Sequence, residues 1–526
     1  MLSRKTLVII TIVLVFGIML ISCNRGESSM SVPEGVKVGD IMLEPYEFKT
    51  TSGSYNAERG SLIVPENWNK DTSRLIALPI IRIHAITDKS TEPIFYLGGG
   101  PGSSNMVFKP SVALLANHDV VMVGYRGADG SVILDCPEVK KAMKGLGKDL
   151  LSKESVINLG KAFQKSFERL QAEGVDLDCY TMVDVVQDME AARKALGYNR
   201  INLISESYGT RVAQIYAYQH PDTIFRSAMI GVNPPGCFVW EPEIIDHQLE
   251  YYAQLWAKDP ECIIRTPNLA QSIRNVAHNM PSHWLFFPIN PGKVKAVTFG
   301  MLSGRNSAAM VFDAYIAAEQ GDASGLALMS LAYDLVSPSS AIWGDFCTKA
   351  VSADFDPNRD YFTEMEPPGS ILGAPSSKLS WGCAQYSQLL IKSIPEEFRK
   401  VQDCDVETLL VSGSVDFATP AENATNQLLP HLTKGKQVIL AEMGHCGDLW
   451  NVQPEAFERL LTSFYDTGVA DDSLFTYAPM EFSVTWGFPR IIKIALILIL
   501  LIVLGVIWLV RFIIRRIQRH KVRQTT

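Results

Sequence analysis

Three residues of this chain could together carry out acyl transfer: Ser207, Asp416 and His445. A serine hydroxyl is a weak nucleophile until a base takes its proton, and an imidazole serves best when a carboxylate fixes its tautomer. Ser207 lies within Leu203-Ile204-Ser205-Glu206-Ser207-Tyr208-Gly209-Thr210. The apolar run Ile201 to Ile204 predicts a short buried strand. Val212, Ala213, Ile215 and Tyr216 have helical spacing, and that run stops at Pro221. The small-x-Ser-x-Gly pattern between them predicts a sharp strand-to-helix turn that lifts the Ser207 hydroxyl above a sheet. In that position the backbone N–H of Tyr208 faces a developing oxyanion.

The other two residues also follow strand-like segments. Thr408 to Val411 leads into Ser412-Gly413-Ser414-Val415-Asp416-Phe417-Ala418-Thr419-Pro420, and Val438 to Leu440 leads into Glu442-Met443-Gly444-His445. A fourth apolar run, Pro93 to Leu97, ends in Gly98-Gly99-Gly100-Pro101-Gly102-Ser103-Ser104. Glycines after a strand let backbone N–H groups point into a site, so Gly99 and Gly100 are candidates for the second half of an oxyanion hole. Taken singly, Ser207 could be a helix cap, Asp416 a turn former and the Gly-Pro run an ordinary turn. The order nucleophile, acid, base after successive strands favours a catalytic set.

The elements that must position these residues alternate. Ser61 to Val64, Leu75 to His84 and Asp119 to Gly124 read as strands. Val156, Leu159, Phe163, Phe167 and Leu170 define one face of a helix. Thr181-Met182-Val183-Asp184 opens a second helix as a capping box, and that helix stops at Gly197. Phe225 to Val232 follows as a strand, and Pro454 to Tyr465 is the last helix of the body. Strands alternating with helices predict an α/β fold with a mostly parallel sheet and helices on both faces. The rhythm breaks at Asn233-Pro234-Pro235-Gly236. From there to about Asp403 the chain is rich in helix-like segments and aromatics, including Trp240, Tyr251, Tyr252, Trp256, Trp284, Phe286 and Phe287. That length is too great for a loop and reads as a lid inserted over the sheet.

Composition bounds the function. The chain has 526 residues and a net charge of −8. Setting aside Arg4 and Lys5 at one end, and Arg511, Arg515, Arg516, Arg519, Lys521 and Arg523 at the other, leaves −16 for the middle. An acidic body argues against nucleic acid as a partner. No C-x-x-C pair and no H-E-x-x-H occurs, so neither a metal site nor a cofactor is expected. Met1 to Ser22 is a basic start followed by an apolar run, the pattern of a signal peptide. Its end, Leu20-Ile21-Ser22-Cys23, resembles a bacterial lipoprotein signal with Cys23 lipidated; a plain signal peptide or uncleaved anchor is the alternative. Near the other end, Ile494 to Val510 is free of charge, and six basic residues follow it. This predicts a membrane helix with a cytoplasmic tail and an exported body.

The expected organisation is a leader over 1–22, a tether over 23–40, and the first part of the core over 41–232. The lid covers 233–403 and the second part of the core 404–467. A linker over 468–489, a transmembrane helix over 490–510 and a basic tail over 511–526 complete the chain. Export makes disulfides chemically possible. Cys136–Cys179 and Cys237–Cys262 are the preferred pairings, with buried free thiols as the alternative.

Gly98 to Gly102, Tyr125-Arg126-Gly127-Ala128-Asp129-Gly130-Ser131, the Ser207 turn, Val415 to Pro420 and Gly444-His445 together resemble the proline iminopeptidase and tripeptidyl aminopeptidase family of serine peptidases. The likeness runs from about Ser61 to Phe464, lid included. It implies an α/β-hydrolase fold, no cofactor, and removal of residues from peptide N-termini with Ser207, Asp416 and His445 as the triad. Asp135-Cys136-Pro137 and Cys179 resemble the exported tripeptidyl branch. The chain departs from the family at Gly98, where a histidine is usual, and at Gly124, where an aspartate is usual. No lid acid can be assigned to a substrate α-amino group. Serine carboxypeptidases share Gly-Pro-Gly-x-Ser and Glu-Ser-Tyr, with Glu206 resembling their carboxylate-binding acid, but Gly98 lacks their partner asparagine. An esterase or lipase would use the same triad, and a non-catalytic binding module on a hydrolase scaffold is the alternative of a different class. The oligomeric state is not encoded in any pattern found.

Overall fold

The structure is a computed structural model; it describes residues 30–50, 52–88, 90–144, 149–387 and 391–524. The leader, Cys23 and the first part of the tether lie outside the described residues. Nine strands form one sheet: β1 (Ile41–Thr50), β2 (Gly53–Pro65), β3 (Leu75–Ile83), β4 (Ile94–Leu97), β5 (Val120–Val123), β6 (Ile201–Glu206), β7 (Ile224–Ile230), β8 (Glu407–Gly413) and β9 (Gly435–Leu440). Their order is β1-β2-β3-β5-β4-β6-β7-β8-β9. The first three strands pair antiparallel, as does β3 with β5, and every pair from β5 to β9 is parallel. This is the mostly parallel sheet the alternation predicts.

The central strands are buried on both faces, and side chains alternate between two cores. Phe95, Leu97, Val121, Val123 and Leu203 join one core, together with helices α1 (Lys153–Ala172), α2 (Met182–Ala195) and α3 (Tyr208–Gln219). Ile94, Tyr96, Val120, Met122 and Ile204 join the other. The predicted face of α1 is the buried one. At the start of α2 the Thr181 side chain accepts from Asp184 N, and Thr181 N donates to Asp184 Oδ2 at 3.1 Å, the reciprocal capping box.

Between β7 and β8 the chain forms a helical layer. It includes α4 (Arg305–Glu319), α5 (Ser324–Val336) and α6 (Trp343–Asp354). Tyr252 and Trp256 are buried there, whereas Phe286 stands exposed at the tip of a two-stranded ribbon, His283–Trp284 with Phe287–Pro288. After β9, α7 (Pro454–Thr467) covers the second core through Phe457, Leu460, Leu461 and Phe464.

The segment after α7 is a strap rather than a slack linker. Gln453 Nε2 donates to Thr476 O at 2.8 Å. The Glu442 carboxylate accepts from Tyr477 Oη and, at 2.7 Å, from Met480 N. Arg305 donates to the carbonyls of Ala478 and Pro479. Phe482 is buried against Trp256, with ring centroids 5.2 Å apart. The strap leads into α8 (Phe488–Gln524), whose first turns bury Phe488 and Ile492 and place Lys493 on Asp322 of the α4–α5 turn. Phe488–Ile517 contains an 18-residue window with a mean hydropathy of 3.1 and is long and apolar enough to cross a membrane.

The expected disulfides are absent among the described residues: Cys136, Cys179, Cys237 and Cys262 are all unpaired. Each thiol has its own surroundings. Cys136 Sγ faces Leu134 O at 3.6 Å, Cys237 Sγ faces Gln427 Oε1 at 3.5 Å, and Cys262 Sγ faces Asp259 Oδ2 at 3.4 Å. Each pairing would close a loop of moderate length, but loop length does not aim two Cβ vectors at each other.

Candidate active site

The parallel register brings the chemistry to one edge. Leu97 pairs with Ser205, Glu206 with Ile230, Ile230 with Val411, and Gly413 with Leu440. The loops after β4, β6, β8 and β9 therefore emerge side by side at the carboxyl ends of the strands. Ser207 closes β6 with φ 50° and ψ −117°, a strained conformation for a residue with a side chain. Its N–H donates to Ile230 O at 2.8 Å. Gly209 must be glycine, because a Cβ there would lie 2.0 Å from Leu97 O. The turn is thereby pressed against the end of β4 and the glycine loop.

His445 Nδ1 and Asp416 Oδ2 are 2.8 Å apart. Asp416 is fully buried; its Oδ1 accepts from Ala418 N at 3.0 Å and Thr419 N at 2.9 Å. Thr419 Oγ1 donates to Asp416 Oδ2 at 2.8 Å and lies 3.1 Å from His445 Nδ1. Burial pulls the His445 pKa down, but the Asp416 charge and the hydrogen bond to it outweigh burial and hold it well above 6.5. His445 N donates to Ser303 O of the helical layer at 2.6 Å. On the ring's other side, Nε2 lies 3.6 Å from Cys446 Sγ, and that thiol is 3.4 Å from Ile230 O. Ser207 and His445 thus converge on Ile230–Gly231: a Cβ on Gly231 would meet the imidazole at 2.8 Å. Among the described residues no hydrogen bond joins the Ser207 hydroxyl to His445. Such contacts commonly tighten only when substrate binds.

The glycine loop is held from four directions. Gly98 N donates to Asn105 Oδ1 at 2.7 Å, and Asn105 Nδ2 donates to Tyr96 O and Val123 O. Tyr125 Oη donates to Gly98 O at 3.1 Å. Asp129 accepts from Tyr125 N and Asn105 N. Gly102 N donates to Asp345 Oδ2 of α6 at 3.0 Å, and Gly102 O accepts from Ile342 N at 2.8 Å. Asp345 is buried beside Lys349, whose ammonium also reaches Arg126 O at 3.1 Å. Burial pushes Asp345 up to about 6 against the pull of Lys349. Among the described residues, the N–H groups of Gly99, Gly100 and Tyr208 have no acceptor. A Cβ on Gly99 would sit 3.0 Å from Ser207 Cβ, which places that N–H next to the hydroxyl-bearing residue.

The two departures from the family pattern have steric reasons. A Cβ on Gly98 would be 3.0 Å from both Asn105 Oδ1 and the Tyr96 ring. One on Gly124 would be 2.6 Å from Pro79 and 2.7 Å from Asp129 Cβ. Arg126 is a scaffold residue: it reaches Asp188 through Nε and Nη2, and Glu66 O, Cys179 O and Pro65 O through its remaining donors. Glu206 accepts from Tyr96 Oη at 2.9 Å and from Trp450 Nε1. Thr419, Asn105, Asp345 and Cys446 were not singled out from sequence as parts of the site. Only Thr419, a hydroxyl three residues past the acid, carried a readable signal.

A fully buried carboxylate, an imidazole held by it and a strained serine beside free backbone N–H groups form an arrangement suited to acyl transfer. Residues 92–277 match the family model of the alpha/beta hydrolase fold. The chain is similar to a tripeptidyl aminopeptidase of Streptomyces lividans, 25% identical over 243 residues that cover 43% of this chain and 44% of that protein. It is similar to the serine protease Hip1 of Mycobacterium tuberculosis, 25% identical over 205 residues that cover 35% and 38%. The chain therefore spans less than half the length of these curated relatives. A solved alpha/beta hydrolase enzyme from a Medee basin deep-sea metagenome library aligns with 75% of this chain and 96% of its own, at 12% identity and a TM-score of 0.36. The chain has the α/β-hydrolase fold, and the curated relatives it matches are named a tripeptidyl aminopeptidase and a serine protease.

Proposed function

We propose that this chain is an exported, membrane-anchored serine peptidase that releases residues from the free N-termini of peptides through an acyl-enzyme. Ser207 attacks the scissile carbonyl. His445 takes its proton and then delivers it to the leaving amine. Asp416 holds the imidazole tautomer and stabilises the imidazolium. The N–H groups of Tyr208 and of Gly99 or Gly100 receive the oxyanion. The observation that carries this reading is the 2.8 Å contact of His445 Nδ1 with buried Asp416, beside a Ser207 turn bordered by unpaired backbone donors. The similarity to tripeptidyl aminopeptidases supports peptide as the substrate and the N-terminus as the end attacked. The apolar stretch of α8 supports a membrane anchor, with the basic residues at the C-terminal end of that helix on the cytoplasmic side.

One observation favours an ester as a second substrate. Among the described residues, no acid lines the space beside Ser207, so none of them there offers a carboxylate to an α-ammonium. The test uses the full chain in lipid nanodiscs. A peptide mixture, half with free and half with acetylated N-termini, is incubated with wild type and with Ser207→Ala, and the products are read by mass spectrometry. Trimming of free peptides alone, lost in Ser207→Ala with a fall of about 10⁶ in kcat, is expected. Cleavage indifferent to acetylation, or a Ser207→Ala rate near wild type, refutes the reading.

A further inference from the structure

The space next to Ser207 adjoins a second chamber. The first, about 260 Å³, is bordered by the glycine loop at Gly100 and Pro101, by Ser207 and Tyr208, and by Phe238. The second, about 220 Å³, lies between α1 and the helical layer, against Leu159, Phe163, Leu379 and Ala384, and Ser207 does not line it. The two share Trp240, Ser340, Trp343, Phe346, Ala350 and Trp381 as common walls. Among the described residues, no Asp, Glu, Lys, Arg or His lines either chamber. The polar groups around the second one are the hydroxyls of Ser337, Ser340, Ser376, Ser380 and Tyr333, the thiols of Cys347 and Cys383 and the indoles of Trp240, Trp343 and Trp381.

Two consequences follow from chemistry. A charged group entering such a space would lose its hydration and find no counter-ion, whereas an apolar group would gain from leaving water. The leaving group must depart on the side of His445, which gives it a proton; His445 lines neither chamber, the first reaches that side only at Ala418 and Thr419, and the second does not reach it. The chambers therefore face the acyl half of the substrate.

We propose that the paired chambers are the acyl-side specificity site and that it takes a large, uncharged hydrophobic group, with Trp343, Phe346 and Ala350 forming the passage between the two. The proposal rests on Ser207 being the nucleophile. The group is either a bulky apolar side chain of a peptide or a long acyl chain of an ester. Both present the same hydrophobic surface to these walls.

The experiment uses the full chain in lipid nanodiscs with two substrate series. One is 4-nitrophenyl esters from acetyl to dodecanoyl. The other is free-N-terminus peptide anilides whose residue before the scissile bond is Leu, Phe, Asp or Lys. In at least one series, kcat/KM is expected to climb with apolar size, by about fourfold for each methylene buried until the chambers are full. Asp and Lys peptides are expected at least 100-fold below Leu or Phe. A climb in the ester series alone identifies an acyl chain, and a climb in the peptide series alone identifies a side chain. Ala384→Phe, which fills the second chamber, should lower the ratio of long to short substrates. Leu379→Ala, which enlarges it, should move the optimum to longer ones, so a packing defect in one variant does not decide the matter. Flat series, a Lys preference through the aromatic walls, or unchanged ratios in both variants overturn the proposal. Fluorophosphonate labelling of wild type and Ser207→Ala is run in parallel: labelling that survives in Ser207→Ala refutes the nucleophile, independently of the size series.

Discussion

Adding one methyl group at Gly209 tests the link between backbone packing and catalysis. An ideal Cβ there lies 2.0 Å from Leu97 O, 2.6 Å from Leu97 C and 2.8 Å from Gly98 O. Ordinary contact begins at 3.4 Å, so Gly209→Ala is about 1.4 Å too close to the nearest atom. Every atom it meets is backbone, so no side chain can rotate away. β4 cannot retreat either, because its register is fixed on both sides, Ile94 to Val120 and Leu97 to Ser205. The Ser207 turn and the glycine loop must therefore separate by about 1 Å, and a misplacement of that size costs about 10² in rate. Disabling one oxyanion donor costs about 10² to 10³. We expect kcat/KM to fall by about 10² to 10³, with a stability loss of about 1–3 kcal/mol from overpacking. The assay is steady-state hydrolysis of a 4-nitrophenyl ester beside thermal melting of the same preparation. Gly300→Ala is the control, since nothing lies within 4 Å of its Cβ, and should behave as wild type. A Gly209→Ala enzyme within about threefold of wild type, folded by melting, would refute the packing argument.

Further predictions concern charge. Only neutral His445 can accept a proton, and its pKa is held above 6.5 by Asp416, so kcat/KM should rise with pH through a midpoint above 6.5. By the same shift the protonated His445–Asp416 contact stabilises the fold fully below about pH 6.5 and is lost as pH rises through the raised pKa. Asp416→Asn should move the kinetic midpoint down; a wild-type midpoint at or below 6.5 would contradict this. Asp345→Asn keeps an acceptor for Gly102 N but leaves the Lys349 ammonium buried alone, and should cost about 3–5 kcal/mol in denaturant unfolding. Adding Lys349→Met should restore much of that loss, and no recovery would argue against the pair. Arg126→Met leaves Asp188 buried without its partner and should lower stability by about 3–5 kcal/mol, read by melting; an unchanged transition would show that the pair contributes nothing net.

Much of the sheet was legible because its signals are local. Apolar runs mark β4, β5, β6, β7 and β8 to within about two residues, since buried parallel strands are apolar on both faces. The capping box at Thr181 and the small residues around Ser207 act over three or four positions and read directly. β1 was not legible. Glu44, Glu47 and Lys49 alternate with partly covered residues in a long hairpin, so neither face is apolar enough to announce a strand.

The sequence by itself determined the order of Ser207, Asp416 and His445, the strand end that carries each, and the apolar stretch of α8. Those features depend on residues adjacent in the chain. Tertiary structure alone decided the rest of the site. Asp345 reaches Gly102 across 243 positions, Asn105 is held by Val123 and Asp129, and the strap at Tyr477 to Met480 closes over Glu442 near the His445 loop. It also left the described cysteines unpaired and gathered aromatics from distant helices into an uncharged space beside Ser207. No local pattern encodes such contacts. They arise when separately specified elements pack and the polar groups they bury must find partners in whatever lies opposite.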